Sequence, residues 1–124
     1  MNVHLEAYDK TTRLKQIRQV KEIYEGYASK QPVLLMGDFN SQIPAISDEI
    51  DAIELLMESE WLTSAVPFDK ESTNRTYSSE QPAIMIDYIF YNENHFECIK
   101  ANVVNEAGQV SDHLPLVAEF KLKW

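Results

Sequence analysis

The chain has 124 residues, 44% hydrophobic and 25% charged, which excludes a disordered chain and leaves room for one core-bearing domain over residues 1–124 rather than two. Twenty acidic against eleven basic residues give a net charge of -9. That disfavours a protein held on DNA or anionic lipid by clustered Lys and Arg, but not an enzyme that meets phosphates through a cation seated among carboxylates.

Residues 1–5 form a short apolar piece that reads as the tail of a strand. Over 11–29, Leu14, Ile17, Val20, Ile23, Tyr24 and Tyr27 recur every three or four positions, with Arg13, Lys15, Arg18, Lys21 and Glu22 on the remaining arc. This predicts a surface helix with one buried stripe, stopped by Gln31-Pro32. Residues 33–36 are an apolar run bounded by Pro32 and Gly37, the pattern of a strand covered on both faces. A second helix is expected over 47–59, with Ile46, Ile50, Ile53 and Met57 on one face and Asp48, Glu49 and Asp51 in its first turn. Residues 67–80 are polar and read as loop, and 83–91, 96–104 and 116–122 read as strands. The last alternates Leu116, Ala118, Phe120 and Leu122 against Val117, Glu119, Lys121 and Lys123, one face for the core and one for water. Cys98 is the only cysteine, so no intrachain disulfide forms. No run approaches the ~18 apolar residues of a membrane span. The N-terminus shows no signal pattern, which leaves the cytoplasm as the default address.

The order predicts an α/β fold, a mixed β-sheet with helices packed on one face. A right-handed crossover makes the first two strands parallel neighbours, with their C-terminal ends side by side where open α/β sheets bind ligands. His4 ends the first strand and Asp38 the second.

Three segments carry chemistry. In Gly37-Asp38-Phe39-Asn40, Asp38 and Asn40 offer two oxygen ligands for a hard cation, while the same residues suit an Asx-type turn closing a strand; the pattern leaves both open. Asp87 stands in an otherwise apolar strand, Ile86-Asp87-Tyr88-Ile89-Phe90, where a buried carboxylate needs a partner, a proton or backbone amides. Ser111-Asp112-His113-Leu114-Pro115 taken alone reads as a polar turn at a strand start; its adjacent Asp112 and His113 point to opposite sides, so one can ligate a metal while the other meets Asp87 as an acid–base dyad.

With Asn2-Val3-His4-Leu5 ahead of them, these segments stand in an order that resembles the endonuclease/exonuclease/phosphatase superfamily, the DNase I-like proteins, along nearly the whole chain. The resemblance implies a metal-dependent phosphohydrolase, a phosphodiesterase or phosphomonoesterase, with Mg²⁺ as cofactor and Mn²⁺ or Ca²⁺ as substitutes. It implies that His4 contacts the scissile phosphate, and that Asp38 orients the attacking water or binds a metal with Asn40 beside it. Asp87 and His113 would be the dyad, and Asp112 a Mg²⁺ ligand. Asn74-Arg75-Thr76-Tyr77 sits where the family has a Thr-aromatic segment near substrate. The substrate class (nucleic acid, lipid head group or small phosphate) stays open. The family's fold is about twice this length, two α/β halves packed sheet against sheet in four layers, and its N-terminal asparagine and metal-binding glutamate motifs do not occur here. The chain therefore resembles the C-terminal half, with one sheet face awaiting a missing half or a second copy. The competing readings are a non-catalytic half-domain that binds a cation or associates, and a nucleic-acid module without chemistry, which the charge disfavours.

Overall fold

In a computed structural model, residues 1–42, 50–67 and 73–124 are described. The elements are β1 (Asn2–His4), α1 (Lys10–Ala28), β2 (Leu35–Asp38), α2 (Ala52–Met57), β3 (Thr63–Ser64), β4 (Asp87–Tyr91), β5 (Phe96–Val103), a 3-10 turn (Asn105–Ala107) and β6 (Leu116–Leu122). A mixed four-stranded sheet runs β1-β2-β4-β3, with β1 and β2 parallel as the crossover predicts and β4 antiparallel to both β2 and β3. β5 and β6 form a separate antiparallel pair. No described helix is long and apolar enough to cross a membrane.

Asp9 caps α1 by accepting from the Thr11 N–H. Its buried line is Arg13, Ile17, Tyr24 and Ala28, whereas Ile23 and Tyr27, expected in the stripe, are about half exposed. Arg13, expected on the outer arc, is buried at 7% exposure. Its guanidinium forks onto both Asp51 oxygens at 3.0 and 2.9 Å and donates to the Glu6 and Ala7 carbonyls. Apolar periodicity misses such a residue because a long polar side chain is buried only when a distant partner receives it.

The second helix starts later than expected, at Ala52, with Asp51 as its cap and Glu54 closing a capping box. Ile50 precedes it and is exposed; Ile46, Ser47, Asp48 and Glu49 lie outside the described residues. The strand expected over 83–91 joins the sheet only from Asp87, with Ile84 making an isolated bridge to Tyr77, and β3 is too short to leave any periodicity in the sequence.

One sheet face is covered by the helices. Leu35, Tyr88 and Phe90 pack there with Phe39, Ile17, Tyr24, Ile53 and Leu56, all at 0–1% exposure, and Phe39 meets Tyr88 and Phe90 edge-on. The other face carries Met36 and Ile89, only partly buried, above an open cleft of ≈ 280 Å³ bordered by Leu114 and Leu116. β6 alternates as expected: Val117, Glu119 and Lys121 are exposed, and the opposite row is half-buried rather than core. Gly37 has φ +139°, and a Cβ there would stand 1.9 Å from the Val3 carbonyl oxygen, so β1 and β2 close to this distance only around a glycine.

Candidate functional site

The sheet register pairs His4 with Asp38 and Asp38 with Asp87, so three strands bring these side chains into one row. Two carboxylates directly opposite on neighbouring antiparallel strands repel, and the arrangement needs a compensating charge. Part of it comes from His113 in the loop before β6. Its Nδ1 lies 2.8 Å from Asp87 Oδ2 and its Nε2 3.7 Å from Asp38 Oδ2. His4 Nε2 approaches the same Asp38 oxygen at 3.4 Å. An ionised carboxylate only accepts, so Nδ1–H donates to Asp87 and Nε2 is left toward Asp38. Of the carboxylate's expected partners, the structure supplies the imidazole.

The electrostatics follow. Burial pushes the Asp38 carboxyl above its ordinary value and the Asp87 charge adds to this, against the Asn40 backbone N–H and the two imidazoles, which lower it. Burial alone would lower His113, but its hydrogen bond to Asp87 and the charges of Asp87, Asp38 and Asp112 outweigh it, and its net shift is upward.

Asn40 sits at φ 47°, where asparagine is tolerated. Its backbone N–H donates to Asp38 Oδ1 at 2.9 Å and its side-chain amide donates to the Leu5 carbonyl at 2.7 Å. The Asx turn is therefore present, and it holds the Asp38 carboxylate at the strand end while tying β1 to β2. Asp112 is exposed, with the Ser79 N–H bonded to its carbonyl. Ligand atoms of Asp38, Asp87 and His113 lie within 4.8 Å of one another and could hold a metal ion; Asp112 is not in that group. The donors are carboxylate-rich, which suits a hard divalent cation.

The structure thus brings His4, Asp38, Asp87 and His113 together, keeps Asn40 one turn away and leaves Asp112 on the adjoining loop. From Asn74-Arg75-Thr76-Tyr77, Tyr77 borders the site, its ring 5.0 Å from that of His113. Thr76 is fully buried behind it. The role of Thr76 escaped the sequence, because its hydroxyl serves amides ten and eleven residues away.

A sequence model of the Endonuclease/Exonuclease/phosphatase family matches residues 1–113. Among solved structures, the chain is similar to a mannosyl-6-phosphatase from Bacteroides thetaiotaomicron, with TM-score 0.75 and 22% identity over 97% of this chain and 49% of that one. It is similar to an endonuclease/exonuclease/phosphatase from Bacteroides vulgatus, with TM-score 0.71 and 21% identity over 97% and 48%. The human Nocturnin catalytic domain with bound sulfate gives 0.64 and 21% over 98% and 46%. The chain spans about half the length of each, and at these identities the likeness is one of fold. No curated protein matches it.

Proposed function

Since the chain belongs to the endonuclease/exonuclease/phosphatase family, whose members hydrolyse phosphoesters, we propose that it carries the acid–base half of a Mg²⁺-dependent phosphoester hydrolase, the C-terminal half of that fold. The observation that carries this reading is the Asp87–His113 hydrogen bond of 2.8 Å beside a second carboxylate, Asp38, whose ion-pair partners among the described residues are the imidazoles of His4 and His113.

In this reading His113 holds its Nε2 toward the phosphate, with Asp87 fixing the tautomer and stabilising the imidazolium. Its upward shift keeps a proton available there nearer neutral pH. His4 stands across the row as a second donor to the phosphoryl oxygens. Asp38 either orients the attacking water and accepts its proton or serves as a metal ligand, and Asn40 holds the turn on which it stands. In the second role Asp38, with Asn40 and Asp112, would hold Mg²⁺, or Mn²⁺ or Ca²⁺ in its place, a set that shares only Asp38 with the close Asp38, Asp87 and His113 group. The cation supplies Lewis-acid polarisation of a phosphoryl oxygen.

The similar B. thetaiotaomicron protein, named a mannosyl-6-phosphatase, makes a sugar phosphate the first substrate to try. Hydrolysis of a sugar 6-phosphate and of bis-p-nitrophenyl phosphate with Mg²⁺ is the test, and His113→Ala is expected to reduce it about 10²–10³-fold. Full activity in that variant would remove His113 from the mechanism. Because the chain spans about half of its structural relatives, the open Met36–Ile89 face is read as a seat for a complementary half or a second copy. A clean monomer in analytical ultracentrifugation at micromolar concentration would count against the second-copy form.

The same half-length favours a second reading, a non-catalytic half-domain that binds a cation or associates. A Mg²⁺ titration followed by NMR with no hydrolysis of either substrate, and shifts confined to Asp38, Asn40 and Asp112, would select it.

A further inference from the structure

The His113–Asp87 pair stands on two segments that share no strand pairing with each other, and one residue ties both. Thr76 Oγ1 accepts from the backbone N–H of Ile86 at 3.2 Å and of Asp87 at 3.3 Å. Its carbonyl accepts from the Leu114 N–H at 2.7 Å, immediately after His113. The N–H groups of Thr76 and Tyr77 both donate to the Ile84 carbonyl, at 2.9 and 3.1 Å, and Tyr77 bridges to His113 as well as Ile84. β3 pairs with β4 only at Phe90 and Tyr91, so by Ile86 and Asp87 that strand has ended. A hydroxyl there replaces the missing ladder for two consecutive amides. Thr76 is fully buried, and the bonds of its hydroxyl, carbonyl and N–H go to Ile86, Asp87, Leu114 and Ile84 rather than to the side chains of the site.

We propose that Thr76 is the positioning residue of the Asp87–His113 pair, its hydroxyl fixing the carboxylate's backbone and its carbonyl fixing the imidazole's. The proposal rests on the phosphoester-hydrolase reading only for its effect on rate; the geometry it asserts can be read without any substrate. Thr76→Val keeps the branched shape and removes the acceptor of the buried Ile86 amide and the partly buried Asp87 amide. Thr76→Ser keeps the acceptor and serves as the matched control.

The measurement is the low-field ¹H resonance of the His113 Nδ1–H, assigned by its loss in His113→Gln, together with hydrogen exchange of the Ile86 and Asp87 amides. In the wild-type chain both amides are expected to exchange as slowly as those within β4. In Thr76→Val they exchange faster and the imidazole resonance moves upfield or disappears, and Thr76→Ser restores both. Where hydrolysis is measurable, kcat per folded molecule falls about 10²-fold in Thr76→Val with KM little changed, the cost of a small misplacement of catalytic groups. An unchanged imidazole resonance in folded Thr76→Val overturns the proposal. So does fast exchange of both amides in the wild-type chain, a result that stands whether or not the variant folds. Absence of hydrolysis in every variant would bear on the proposed function and leave these spectra to decide the positioning role.

Discussion

Asp51 and Asp38 are two aspartates of nearly equal side-chain exposure, 20% and 16%, in opposite electrostatic circumstances. Burial pushes both upward. At Asp51 the two-pronged Arg13 guanidinium and the Ala52 N–H more than reverse this, and its carboxyl lies below the ordinary value. At Asp38 the cross-strand neighbour is another acid, the nearby imidazoles compensate only in part, and its carboxyl stays raised. One charge has its permanent counterion in the fold. The other is left as a standing demand for positive charge, which is what a cation-assisted phosphate site requires.

The largest effect should come from breaking the compensated side. Arg13→Met takes the guanidinium from Asp51 and from the Glu6 and Ala7 carbonyls and is expected to destabilise the chain by about 3 kcal/mol in urea unfolding. A loss below about 0.5 kcal/mol, the level of an ordinary surface substitution, would erase the distinction. Neutralising each acid in turn sharpens it, because the signs should differ. Asp51→Asn is expected to cost about 1–2 kcal/mol, while Asp38→Asn is expected to gain about 1 kcal/mol and lose hydrolysis, the usual trade at a functional site. Both variants destabilising equally would mean that Asp38 is as well compensated as Asp51.

Mg²⁺ should act on one side alone. At ten times its dissociation constant it is expected to raise stability by about 1.4 kcal/mol in the wild type and by nothing in Asp38→Asn, as read from thermal melts. The smallest effect is in pH. The lowered Asp51 contributes stability present above its unfolded value of 3.8 and lost as pH falls through its folded value. Asp38 and His113 are raised, so what they contribute is present below 3.8 and 6.5 respectively and is lost as pH rises through their folded values. The stability advantage of wild type over His113→Gln should therefore be greatest below about pH 6.5 and fade above it. An advantage that grows with pH would reverse the assignment.

Much of this site was legible in the chain because its parts stand at element ends. His4 and Asp38 close β1 and β2 as the apolar runs predict, and the isolated acid Asp87 found the imidazole that its burial requires. What stayed hidden is non-local. Nothing near Arg13 marks it as inward-facing, since its partner lies 38 residues on. The work of Thr76 depends on where β3 runs out, and a two-residue strand leaves no periodic trace. The turn at Asp38 and Asn40 was readable because a carboxylate two residues ahead of an amide N–H is a purely local pattern.

The missing side chain at position 37 has a consequence for anyone varying this protein. A single methyl there would have to occupy the space of the Val3 oxygen, one residue before His4, so the first strand would be levered away and with it the imidazole that stands beside Asp38. Variants of the rim can be explored widely, but position 37 has room for no side chain larger than hydrogen.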